Sequence, residues 1–442
     1  MTEGTVSTRR LLSLALPALG ALAAEPLYVL VDTAVVGHLG AVPLAGLALG
    51  GVLLSQASVQ MTFLSYGTTA RAARLHGAGR RADAVAEGVQ ATWLALAIGV
   101  LLLICGQIAA EPLARALAGK GEQADAAVRW LRIALFGAPC ILVTMAGNGW
   151  MRGVQDTRRP LYFVLAGNGL SALICPLLVY GVGSLVPGLG LIGSAVANVL
   201  AQFVSAGLFL RALFVEKVPL RMEKSRMLAQ LTMGRDLFMR GLAFQACFIS
   251  AAAVAARTSV AAAGAHQIVL QLWNFLALVL DSLAIGAQSL VGAALGAHRE
   301  DQARAIARQV TWYGLVFGLL LGVAFAALAG VLPRAFTSEA AVLIEVAKVW
   351  WFFVALQPIC GALFAVDGVL FGAGDAAFLR TATIASAVCG FLPLIGAALV
   401  FRWGLVGIWS GLTAFILLRF VAAMIRLRSG RWAVVGAERA RD

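Results

Sequence analysis

A chain of 442 residues that is 61% hydrophobic and only 12% charged, with a mean hydropathy of +0.90, lies far outside the composition of soluble globular domains. Apolar runs of about 20 residues recur along its whole length, each enough to cross roughly 30 Å of hydrocarbon as a helix; the class is therefore an all-α membrane protein without room for a separate soluble domain. The net charge of +13 would point to nucleic acid in a soluble protein, but here it reports topology, and no nucleic-acid partner is expected beside the lipid bilayer.

The opening "MTEGTVSTRR" leads into an apolar run that continues past Pro17 and Pro26 without an A-x-A-like cleavage site, so the first span, 11–36, is expected to be a retained helix and not a targeting peptide. Further helices are predicted at 44–70, 88–110, 127–150, 161–183 and 189–214. A basic cytoplasmic linker is expected over 215–235, and the second set of spans at 236–256, 261–293, 309–332, 342–371, 378–400 and 404–425. The alternating ten-residue segments of a β-barrel are missing.

Basic residues alternate between the loops. All but eight of the 34 Lys and Arg fall on one side, a set that includes Arg9, Arg10, Arg71, Arg80, Arg158, Arg226, Arg240, Arg304, Arg308, Arg380, Arg419 and Arg428. The other side holds Arg115, Lys120, Arg129, Arg132, Arg257, Arg334, Lys348 and Arg402. The positive-inside rule then places the first set, and both termini, in the cytoplasm, with an even number of spans in a plasma (inner) membrane.

The chain also repeats itself. "APCILVTMAGNGWMRGVQD" (138–156) lies on "QPICGALFAVDGVLFGAGD" (357–375) without a gap, pairing Pro139 with Pro358, Gly149 with Gly368, Gly153 with Gly372 and Asp156 with Asp375 at an offset of 219. The same offset pairs Gly67 with Gly286, Gly77 with Gly296 and Arg80 with Arg299, and "GLIG" (190–193) echoes "GLVG" (404–407). Two six-helix lobes follow, 1–214 and 236–442, related as parallel repeats about an axis along the membrane normal and facing each other across a central cavity. Such lobes suit alternating access, although duplicated channels and scaffolds share the pattern. Small-xxx-small spacings such as Gly46–Gly50 serve helix packing in either case.

Carboxylates inside spans cost roughly 2.5–3.5 kcal/mol each on insertion scales, so they mark functional candidates. Glu25, Tyr28 and Asp32 recur at i, i+3 and i+7 on one face of the first helix, and Pro26 leaves the Leu22 carbonyl without its usual donor, making this helix easy to bend. Asp32 is thus a candidate proton carrier on a hinged helix. Asn148, Asn168 and Asn198, on the fourth, fifth and sixth spans, are candidate partners because an amide can donate to a carboxylate or accept from a carboxylic acid; each alone also serves as interhelical glue. In the second half Asp281 and Asp367 are candidates for the substrate cavity or for structural pairing with Gln245, Gln271 or Asn274; Asp367 occupies the repeat position of Asn148. Gln56 and Met145 are further cavity candidates, since Met-lined apolar pockets accept many shapes.

Other chemistries find little support. The six cysteines lie in apolar runs without CxxC spacing and are expected to be packing residues. The four histidines form no HExxH-like pair, "GLGLIG" (188–193) follows no strand, and no Walker A motif occurs. Neither an enzyme nor a resident metal or other cofactor is expected, and an ion gradient is left as the energy source.

At this point the residues show a resemblance. "LVDTAVVGHLG" (30–40) with the following "PLAGLALG" resembles the first-helix signature of multidrug and toxic compound extrusion (MATE) transporters of the DinF-type branch, and "MRGVQDTRRP" (151–160) is similar to that family's RGxxDTRxP-like segment. "LVLDSLAIGAQ" and "FAVDGVLFGAGD" resemble the branch's eighth and tenth helices, so nearly all twelve spans are covered. The resemblance implies a twelve-helix, two-lobe cation antiporter that exports amphipathic, usually cationic, organic compounds in exchange for H+ or Na+; a monomer is expected. It implies that Asp32 is the coupling acid, with Asn148, Asn168 and Asn198 around it. Ala172 stands where some archaeal members carry a second acid, which weakens the case for Na+ at Asp32, and the seventh span has no acid past Asp236. The nearest alternative is a flippase for lipid-linked saccharides, which would favour cationic residues within the cavity.

Overall fold

The computed structural model describes residues 6–181 and 187–437. The last two residues of the span expected at 161–183, and the tail residues Arg439 and Arg441, lie outside that range. Twelve helices among the described residues are long and apolar enough to cross a membrane: α1 (Thr8–Gly37), α2 (Ala41–Gly77), α3 (Arg81–Ala118), α4 (Glu122–Gly153), α5 (Arg158–Tyr180), α6 (Leu191–Val215), α7 (Lys224–Thr258), α8 (Val260–Gly296), α9 (Glu300–Ala327), α10 (Ala340–Gly372), α11 (Ala376–Val400) and α12 (Gly404–Ser429). Each expected span overlaps one of these helices, but the span expected to reach 332 stops at Ala327, where a turn leads into a separate short helix, Leu332–Phe336. Several helices start earlier than expected because charged turns continue them beyond the apolar stretch: α3 starts on Arg81 and Asp83, and α9 on Glu300 and Asp301, acids that favour a helix N-terminus.

The linker expected over 215–235 is corrected at its second half, which is the start of α7. Lys224 onward is helical because its polar side chains find partners on α3. Arg226 reaches Asp83 at 2.7 Å, and Gln230 Nε2 donates to both the backbone carbonyl (2.9 Å) and the carboxylate (2.8 Å) of Glu87. Glu87, 1% exposed, is also gripped by Arg71 through two bonds of 2.7 and 2.8 Å. A carboxylate held this way is compensated in a setting where an unpaired one would be costly.

The helices form two compact units. One comprises Leu16–Thr232; the other comprises Met1–Ala15 together with Met233–Asp442, so the described residues before Leu16 group with the second half and not with the lobe expected at 1–214. Packing explains the difference. Thr8 bonds Tyr313 at 2.8 Å, the Val6 N–H donates to Gln309, and Leu11 lies against Gly286.

The duplication recurs in the backbone. Gly79 and His298, 219 residues apart, both turn the chain with positive φ (76° and 58°), as do Gln155 and Gly374 (63° and 69°). The helix crossings repeat as well. A methyl group on Gly149 would meet the Ser65 carbonyl of α2 at 2.8 Å, and one on Gly368 would meet the Ala284 carbonyl of α8 at 2.4 Å; Ser65 and Ala284 are themselves 219 apart. Glycine at these positions lets α4 approach α2, and α10 approach α8, backbone to backbone. Both paired aspartates hold a guanidinium, but from different places: Asp156 pairs with its near neighbour Arg159 and accepts the N–H groups of Arg158 and Arg159, whereas Asp375 pairs with Arg426 of α12 at 2.8 Å.

Candidate functional site

In the unit Leu16–Thr232, Asp32 on α1 is 4% exposed. Helix α1 is held there by α5 and α6. The Tyr180 hydroxyl donates to the Val35 carbonyl at 2.5 Å, and Val35 and Leu39 pack on a buried cluster of Cys175, Val179 and Ala197. Close approach of α5 and α6 depends on small residues: Gly167 faces Ser205, and Gly193 faces the Leu178 carbonyl.

The Asp32 carboxyl accepts from the Cys175 thiol at 3.2 Å, and the side chains of Ser194 and Tyr28 are within hydrogen-bonding reach. Tyr28, also buried, receives a long bond of 3.5 Å from Asn198 Nδ2, and Ser194 receives the Trp130 indole N–H at 3.2 Å. Every partner of Asp32 is a neutral group. A buried acid with only neutral partners can be charged or protonated without breaking an ion pair, which is what an exchangeable proton site requires.

Of the asparagines expected around Asp32, Asn198 joins the cluster through Tyr28, a step removed from the carboxyl. Asn148, half-buried on α4, has a carbonyl oxygen that is buried without a hydrogen-bond partner. Asn168 is half-buried on α5, two turns before Cys175 on the same face. The groups that touch the carboxyl, Cys175 and Ser194, were missed in the sequence. Their spacing from the asparagines, seven residues and four, was the available signal, since each shares a helix face with one of them.

Glu25 shares the face of Tyr28 but not its burial: Glu25 and Pro26 are exposed. Helix α1 is continuous through Pro17 and Pro26. Gln56 is exposed on α2, and Met145 packs on a buried cluster that includes Leu64, Leu94, Leu142 and Val143. No group of three or more metal-ligating side chains occurs among the described residues.

In the other unit Asp281 is half-buried on α8. Asp367 on α10 is 6% exposed, and its Oδ2 accepts from Arg240 of α7 at 2.6 Å and from Arg419 of α12 at 2.7 Å. For Asp367 the partners expected from the sequence, Gln245, Gln271 or Asn274, are thereby corrected to two arginines. Arg419, counted among the basic residues of the cytoplasmic side, is 5% exposed inside α12, its guanidinium over the ring of Phe244 at 4.4 Å, with that of Arg240 over Phe371 at 4.9 Å. Both lie in apolar stretches, "GLTAFILLRFVAAM" for Arg419, and a cation surrounded by leucine and phenylalanine was the signal.

Comparison with known proteins places these features in context. The family model described as MatE matches residues 17–177 and 237–394, one match in each half. The chain is 32% identical to Protein DETOXIFICATION 44, chloroplastic, of Arabidopsis thaliana, over 96% of this chain and 83% of that one. It is 29% identical to DNA damage-inducible protein F of Escherichia coli strain K12, over 97% and 94%. A crystal structure of MATE in the bent conformation superposes with a TM-score of 0.84 at 22% identity, covering 96% of this chain and 95% of that one.

Proposed function

The chain belongs to the MatE family of multidrug and toxic compound extrusion transporters, in its DinF-type branch, and on that premise we propose that it exports amphipathic, cationic organic compounds in exchange for protons carried by Asp32. It is a secondary transporter of small organic compounds and not an enzyme. The observation that carries the proton assignment is the neutral surrounding of buried Asp32, set against Asp367, whose charge is held by two arginines. Protonation from the outer side removes the charge from α1, rearranges that helix about Pro26 and favours release of substrate; deprotonation to the cytoplasm resets it. The transporter works by alternating access as a monomer in the plasma membrane with both termini inside, since one chain carries both repeats.

The absence of a second carboxylate favours H+ over Na+: Ser194 and Tyr28 offer hydroxyl oxygens beside Asp32, but the third neighbour is the soft Cys175 thiol at 3.2 Å and Ala172 supplies no second anionic oxygen ligand. Exchange of one proton for one monovalent cation moves no net charge, so the pH difference alone drives it with about 1.4 kcal/mol per unit. Each additional proton adds roughly 2.3 kcal/mol per 100 mV of membrane potential. The flippase alternative calls for cations ready to hold a pyrophosphate, but the buried Arg419 and the half-buried Arg240 of the second unit are both engaged by Asp367.

The test is efflux of a cationic dye from proteoliposomes under an imposed pH gradient or an imposed Na+ gradient, with wild type and Asp32→Asn. Wild type should respond to the pH gradient and the Asn variant should not. Full pH-driven transport by Asp32→Asn, or drive by Na+ alone, would overturn the assignment.

A further inference from the structure

The unit Met233–Asp442 contains a pocket of about 820 Å3 between α9 and α12, both of which pack on α10, whose Ala362 lines it. One end is basic. Arg308 and Arg428 are exposed and form no ion pair among the described residues, Arg304 is bound to Glu300 at 2.5 Å, and Asp301 is the one acid in the lining. The other end is apolar, walled by Trp312 and Leu315 of α9 and by Phe420 and Met424 of α12. Along the helices the arginines and these apolar side chains are about 6–16 Å apart at 1.5 Å per residue.

The tail is folded to complete the basic end. Gly430 ends α12 with a left-handed φ of 69°, and a methyl group there would meet the Arg304 guanidinium at 2.8 Å. Trp432, 1% exposed, donates to the Leu427 carbonyl at 3.0 Å, and the Gly436 N–H donates to the Leu295 carbonyl at the end of α8. Trp432 thus becomes a fixed wall of the pocket.

We propose that this pocket binds an anionic phospholipid, its phosphate on Arg308 and Arg428 and its upper acyl chains between Trp312, Phe420 and Met424. Charge and polarity both select that occupant. Two guanidinium groups without a carboxylate partner match a phosphate, which accepts their paired N–H donors. A basic mouth continuous with an apolar wall between spanning helices matches a headgroup and its chains, and fits poorly to a free inorganic ion, which would leave the apolar end wet. The arginines also stand on the side where the basic loops concentrate, the side the positive-inside rule makes cytoplasmic.

The test is native mass spectrometry of the intact transporter titrated with phosphatidylglycerol or phosphatidylcholine. Wild type should retain phosphatidylglycerol preferentially, and Arg308→Gln with Arg428→Gln should weaken that binding about tenfold while the paired Lys substitutions keep most of it. Met424→Trp, which fills the apolar end and leaves both arginines, should also weaken it. Equal retention of phosphatidylcholine by wild type, undiminished phosphatidylglycerol binding by either the Gln pair or Met424→Trp, or displacement of the lipid by millimolar inorganic phosphate would overturn the proposal.

Discussion

Arg419 of α12 donates to Asp367 of α10 at 2.7 Å, and Arg240 of α7 reaches the same oxygen at 2.6 Å. Three helices are joined at one buried carboxylate, with aromatic faces over both guanidinium groups. Because an ion pair inside low-dielectric surroundings leaves an uncompensated charge when one partner is removed, Arg419→Met is expected to destabilise the protein by about 3–5 kcal/mol. Thermal unfolding in detergent should show a smaller loss when Asp367→Asn accompanies it than the two single losses added together. Additive losses would show that the pair does not act as a unit.

Pro26 lies inside the continuous helix α1. It withholds a donor from the Leu22 carbonyl, and Pro26→Ala would restore that bond, strengthening α1 by up to about 3 kcal/mol. If bending there is part of the cycle, the Ala variant should bind dye with unchanged affinity but move it several-fold more slowly. Unchanged efflux rates in proteoliposomes would remove Pro26 from the mechanism.

The repeated glycines make matched predictions. Gly149→Ala and Gly368→Ala each push a methyl group against a backbone carbonyl of the neighbouring helix, so each should cost about 1–3 kcal/mol by overpacking. Gly169→Ala meets nothing within 4 Å and should be neutral or stabilising by up to ~1 kcal/mol, since alanine is the better helix former. Unfolding midpoints of the three variants check the contrast.

His298 pays for a left-handed backbone that its repeat partner Gly79 adopts freely. The side chain is exposed, so His298→Gly should raise stability by about 0.5–1 kcal/mol through relief of that conformation. The reverse change, Gly79→His, has nothing within 4 Å of its new Cβ and should lower stability by a similar amount for backbone reasons alone. Paired thermal shifts of opposite sign are the expected readout.

Hydropathy, charge alternation and the 219-residue offset were enough to place twelve helices on the chain and to pair its halves, because each of these is a local or periodic property carried by residue type. Asp32 stood out for the same reason: an acid in a run of leucine and valine is conspicuous wherever it packs. Its partner was another matter. Cys175 lies 143 residues away, Asp367 is 52 residues from Arg419 and 127 from Arg240, and nothing in those stretches says which helix faces turn toward each other. Glu25 and Tyr28, alike in spacing, separated into exposed and buried for the same cause. The second half of the linker that reads as basic and polar became the first turns of α7 once Asp83 and Glu87 met Arg226 and Gln230, and Val6, Thr8 and Leu11 joined the second half through Gln309, Tyr313 and Gly286. Residue identity sets what a side chain needs in a membrane, but the contact that meets the need is chosen by helix packing over distances no sequence pattern spans.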